Sequence, residues 1–190
     1  MKKAGIVLLA ILAILVVWQW QWIAYGVAQL RGQLDVVWNA RPVDEVLQDP
    51  AFPDSLKTKL RLVREIRRFA FDSLGISPSE NYTAVYDQQG RPSIWVVTAC
   101  EPYTLEPHQW SYPFLGEMPY KGFFDSTKAV QEEKVWKAKG LDTDIGTAAG
   151  WSTLGWFKDP ILSSMLYRSP GRLANLIIHE LTHGTLFVKD

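Results

Sequence analysis

The sequence predicts an α+β fold: an amino-terminal membrane helix, then one domain of helices around a small β-sheet, closing on a helix with an HExxH motif. Three observations predict it. Residues 4–18 are an unbroken apolar run. Residues 54–74 repeat apolar side chains every three or four positions, the period of a helix with one buried face. Residues 82–86, 94–99 and 142–147 are short segments of strand character set between turn residues.

Composition narrows the functional classes. The 190 residues carry 20 Lys+Arg against 20 Asp+Glu, with no net charge and 47% hydrophobic residues. That balance excludes a basic nucleic-acid module and a disordered acidic tail, so no nucleic-acid partner is expected. Cys100 is the only cysteine, which rules out an intrachain disulfide and a cysteine zinc cluster and reads as an inert buried thiol. A metal site in this chain has to be built from histidine and carboxylate.

Taken from the amino end, Lys2 and Lys3 precede the run Ala4 to Trp18, and apolar character continues to Tyr25. At 1.5 Å per residue this covers a bilayer core of roughly 30 Å. Trp18, Trp20 and Trp22 suit an interfacial belt and are too bulky for a signal-peptidase site. Residues 1–25 therefore read as an uncleaved signal-anchor, cleavage after Ala28 being the weaker alternative. The lysines ahead of the run place the amino terminus inside and the bulk of the chain on the exported, periplasmic or extracellular side, with membrane lipid as a partner.

Residues 26–190 then make one domain. A helix is expected over 27–38 and broken at Arg41-Pro42; Pro50 and Pro53 lead into the helix of 54–74. Its apolar side is Leu56, Leu60, Val63, Ile66, Phe69, Ala70 and Leu74. Lys57, Arg61, Arg64 and Arg68 repeat on another face, as a solvated stripe or as a contact for anionic lipid. Residues 82–86 and 94–99 flank Asp87-Gln88-Gln89-Gly90 and read as a β-hairpin. Prolines 102, 107, 113 and 119 exclude helix up to Phe124; Ser126 then caps a helix that Gly140 closes. Short strands are expected at 142–147 and 151–154. Ser169-Pro170 opens the last helix, an N-cap followed by proline at the first helical position.

That helix carries His179-Glu180-Leu181-Thr182-His183. Two histidines four residues apart share a helix face, so both imidazoles can reach one zinc ion, and the glutamate between them can serve as general base toward a zinc-activated water. With three histidines and nine glutamates in the chain, chance supplies only about 0.002 such motifs. A catalytic zinc normally takes three protein ligands. Asp190 returns to the face of His183 but lies about 10.5 Å further along the axis. Leu186 and Lys189 stand where an eleven-residue HExxHxxGxxH pattern needs glycine and histidine. His108, Glu101 and Glu106 are the upstream candidates. The simpler expectation is a domain incomplete at its carboxyl end, whose next helix would supply a glutamate.

Four segments, RGQLDVVWNARPVDEVL (31–47), PYKGFF (119–124), STLGWFKDPILSSML (152–166) and LIIHELTHGTLFVKD (176–190), resemble the bacterial predicted aminopeptidases, a family of membrane-associated proteins with a gluzincin-like HExxH site. The similarity runs from about Tyr25 to Asp190. It implies a zincin-like peptidase domain over 26–190, a zinc-dependent metallopeptidase acting on peptides, His179 and His183 as ligands and Glu180 as catalytic base. Members often end the apolar segment in a lipobox cysteine, absent here, and continue into an Asn-Glu helix that supplies the third ligand. In zincin architecture an edge strand beside the active-site helix pairs with extended substrate, and 151–155 is the candidate here. Trp156 and Phe157 read as core. A catalytically inactive, membrane-anchored scaffold or a fragment lacking the third ligand is the competing reading; the oligomeric state is not legible.

Overall fold

The structure is a computed structural model that describes residues 17–112, 116–148, 150 and 157–185. The chain divides into two compact units, residues 1–35 and 36–190. In the first, helix α1 (Trp20–Trp38) begins and then crosses the boundary. Trp22 and Tyr25 pack edge to face within it, centroids 6.2 Å apart.

The membrane helix expected at 1–25 is corrected. Residues 20–25 do not end a membrane span but open α1, which continues through Gln29, Arg31, Gln33 and Asp35. These polar side chains dilute its apolar character below what a bilayer core requires. Among the described residues no helix is long and apolar enough to cross a membrane, and residues 1–16 lie outside them. Membrane anchoring and export-side placement of the chain fall with the span that carried them.

In the second unit, strand β1 (Arg41–Pro42) leads into α2 (Val43–Gln48) and α3 (Asp54–Asp72). Both helices start after a proline, Pro42 and Pro53, whose fixed φ sets the turn into the first helical residue. Leu60, Val63, Ile66 and Ala70 of α3 are buried, as their spacing predicts. The basic stripe is not one solvated face. Lys57 is buried and 3.5 Å from Asp54, while Arg64 pairs with Asp44 and ties α3 to α2.

Strand β2 (Ala84–Tyr86) runs antiparallel to β1 and parallel to β8 (Ile161–Leu162), with Val85 opposite both Arg41 and Ile161. A parallel pair needs a crossover. Here the crossover contains a second sheet, in which β3 (Trp95–Cys100) lies between β6 (Lys121–Phe123) and β7 (Asp142–Thr147). It also contains the pair β4 (Trp110–Tyr112) and β5 (Gly116–Met118), and helix α4 (Ser126–Ala138). The expected hairpin of 82–86 with 94–99 is therefore absent: both strands exist, in different sheets. The connection from Asp87 to Ile94 is too long for a tight hairpin turn, and Gln88, which bonds to Arg91 and Ser93 within it, also ties it to the segment after β8. The Gln88 amide N–H donates to Ser163 Oγ at 3.0 Å, and its side-chain oxygen accepts from the Ser164 amide at 3.0 Å. The cap of α4 is also one residue earlier than expected, since Asp125 accepts from the Thr127 amide at 2.8 Å. The strand expected at 151–154 lies outside the described residues.

After β8 a 3₁₀ turn (Ser163–Tyr167) feeds α5 (Pro170–Thr182). The core joins α3 and α5 beneath β2 and β8: Leu60, Val63 and Ile66 meet Met165, Leu166, Leu173, Ile177 and Leu181 in one buried cluster.

Glu132 organises the inserted sheet. It accepts from Trp110 Nε1, Trp136 Nε1 and Lys121 Nζ, each at 2.9 Å. Burial works against its charge, but the donors of Trp136, Lys121 and Trp110 together hold its carboxyl below the ordinary range. Glu132→Ala should cost about 2–3 kcal/mol in urea denaturation, because three donors lose one charged acceptor. A carboxyl depressed by folding stabilises above its unfolded pKa, so the deficit should be full at neutral pH and shrink as pH falls below about 4.5, through the folded value.

Candidate functional site

The azimuth of α5 is set by what it buries. Leu173, Ile177 and Leu181 lie on one stripe against the core. Glu180, seven residues past Leu173, returns to within about 20° of it, which turns its side chain toward the protein. His179 falls on the open flank and is exposed; His183, the C-cap residue, is partly covered. The helix is pinned at that end, where the Ser77 amide donates to Thr185 Oγ1 at 2.8 Å.

The imidazoles converge. His179 Nε2 and His183 Nε2 are 3.3 Å apart, with the ring planes 87° to each other. Two nitrogens bound at 2.0–2.1 Å to one tetrahedral zinc would be separated by about 3.3–3.4 Å, which is the spacing the pair has. Glu180 is half-buried. Burial raises its carboxyl above the ordinary range, His179 and His183 pull it back, and Asp159 raises it further. Gly150 closes over the same place: a Cβ there would lie 3.5 Å from Glu180 Oε1 and 2.9 Å from Met165 Cε.

The upstream ligand candidates are elsewhere. His108 is stacked against Trp136 at 3.8 Å and edge-on to Trp110 at 4.7 Å. Burial foremost, then the Lys139 cation, lowers its pKa, against the opposing carboxylates of Glu132 and Glu101. Glu101 and Glu106 close a loop on each other through a 3.0 Å backbone bond. Among the described residues no three His, Cys, Asp or Glu side chains group to hold a metal. Asp190 and the candidate edge strand 151–155 lie outside the described residues.

Two site residues escape sequence reasoning. Asp159 is 2% exposed and clasped to Asn81: its amide donates to Asn81 Oδ1 at 3.1 Å, and Asn81 Nδ2 donates to Asp159 Oδ2 at 3.3 Å. The Asp159 carbonyl accepts from the Tyr82 amide at 2.6 Å. Tyr82, at φ 61°, is 1% exposed, and its hydroxyl has no hydrogen-bond partner among the described residues. Burial, then Glu180 and then Asp159, push that phenol far above its ordinary range. It stays an O–H donor. The arrangement thus brings together two converging imidazoles, a half-buried carboxylate raised above its ordinary range and a buried phenol. Neither Asp159 nor Tyr82 carries a motif signal; a buried Asp-Asn clasp across 78 residues is visible only when folded.

A family model described as "Putative aminopeptidase" matches residues 24–190. The chain has no match among curated proteins and none among solved structures.

The close approach at Gly150 should be sensitive to bulk. Gly150→Val places methyls against Met165 and Glu180 and should cost about 1–3 kcal/mol by overpacking. Gly150→Ala should cost less, since the atom it meets first is the flexible end of Met165. Urea midpoints of the two variants test the ranking.

Proposed function

The chain belongs to the Putative aminopeptidase family, and from that membership we propose that it hydrolyses peptides with zinc held by His179 and His183 and with Glu180 as general base. The observation that carries this reading is the 3.3 Å convergence of the two Nε2 atoms beside a half-buried carboxylate. Zinc held there supplies Lewis acidity to the scissile carbonyl and acidifies water. Glu180 orients the attacking water and takes its proton at the carboxylate oxygen; the same proton then passes to the leaving amine nitrogen as the C–N bond breaks. Water is the only co-reactant. Burial makes the ionised carboxylate a stronger acceptor than an exposed one, in keeping with that role. The Tyr82 hydroxyl keeps a donor in the same buried region, and Asp159 and Asn81 hold its backbone. Removal of amino-terminal residues is the mode that the family name favours.

Glu180→Gln should keep zinc and lose about 10²- to 10⁴-fold in turnover, because the near-isosteric amide cannot accept a proton. His183→Ala should lose metal first and activity with it. Zinc content and hydrolysis are measured on the same preparations, with an aminoacyl chromogenic substrate beside an internally cleaved peptide. Near-normal turnover in Glu180→Gln would sink the base assignment.

A further inference from the structure

From His179 an open groove of about 420 Å³ runs along α5 toward its amino end, lined by Arg168, Gly171, Arg172, Asn175, Leu176 and His179. Its lining contains two cations and no carboxylate. Neither guanidinium makes an ion pair among the described residues. Lys59 adds a third positive charge behind the rim, donating to the Arg168 carbonyl at 2.7 Å. Another cavity of similar size, lined by Arg64, Arg67 and Arg68, also contains Asp44 and Asp72, so its charge is largely offset.

The helix supplies a ruler. Arg172 is seven residues before His179, so it shares that azimuth within about 20° and lies about 10.5 Å along the axis. A peptide extended at about 3.4 Å per residue covers that distance in three residues. Arginine side chains lean toward the helix amino end, which lengthens the reach to about four residues. Two planar guanidiniums and the Asn175 amide are donors matched to a carboxylate, and the adjoining helix end adds positive potential. We propose that this groove is an anion subsite receiving a carboxylate of the peptide substrate, three or four residues from the cleaved bond. The proposal rests on the peptidase reading and adds a substrate class to it: short peptides whose chain terminus reaches the arginines, or peptides with an acidic side chain at that distance.

Binding is read on the Glu180→Gln protein, so that no peptide is cleaved, by anisotropy of three pentapeptides with uncharged side chains unless stated, dye-labelled on a side chain so that the amino terminus stays free. One has a free carboxyl terminus, one is amidated, and one is amidated with a single glutamate at the fourth position. The free-acid or the glutamyl peptide should bind about tenfold more tightly than the neutral amide, and which of them does identifies the source of the carboxylate. Arg168→Gln and Arg172→Gln should bring the ratio toward one. Arg91→Gln, an equal loss of charge in the turn before β3, should leave it. Equal affinity for all three peptides, no binding at millimolar concentration, or a preference that survives both groove substitutions would overturn the subsite. Turnover by the unsubstituted protein is measured separately: activity without a carboxylate preference sinks the subsite alone, and a preference without turnover sinks the peptidase reading alone.

Discussion

The burial of Leu173, Ile177 and Leu181 against α3 is the constraint on which the rest depends. A helix has one rotational freedom about its axis, and apolar burial removes it. Once that stripe faces the core, the 100° step places Glu180 at the rim of the protein and sends both imidazoles to the open side. Each fully buried aliphatic side chain contributes about 1.5–3 kcal/mol, far more than the contact between the two rings. Packing therefore orients the chemistry, and the chemistry does not hold the helix.

The second constraint acts on Glu180 from the opposite side. Tyr82, Asp159 and Gly150 come from separate stretches of chain: Asp159 raises the carboxylate, Gly150 lies against it, and the carboxylate in turn raises the Tyr82 phenol. Their positions are enforced by the Asn81–Asp159 clasp and by Tyr82 in a left-handed conformation, where a non-glycine residue is strained unless its surroundings hold it. A carboxylate raised by burial and a phenol without a hydrogen-bond partner among the described residues are both unfavourable in isolation. Their joint presence beside the imidazoles follows the pattern in which perturbed groups gather at sites of function.

Local signals were legible and pairings were not. The strand 142–147, the buried side of α3 and the Ser169-Pro170 start of α5 follow from spacing and capping, which are properties of neighbours in sequence. The spacing that brings the His179 and His183 rings together is a neighbour property of the same kind. The partnership of β2 was misread because a glycine turn resembles a hairpin until the Gln88 bonds to Ser163 and Ser164 are known. Residues 20–25 were misread as the end of a span because hydropathy alone does not locate a helix boundary, and α1 runs on into polar residues. Asp159 and Tyr82 remained silent because their meaning is entirely tertiary.

The parallel contact between Val85 and Ile161 has an architectural corollary. The sheet centred on β3 and helix α4 lie between them in the chain, like a module clipped into a frame at two short adjacent strands. The entropic penalty of closing such a loop rises only logarithmically, by about 0.6 kcal/mol per doubling of its length. The frame of α3, β2, β8 and α5 can thus accommodate a larger or smaller module at little thermodynamic cost, provided that Tyr86 and Asp159 re-enter it in register, Gln88 keeps its bonds to Ser163 and Ser164, and Gly150 keeps its place over Glu180. This is where the architecture can grow without disturbing the histidines.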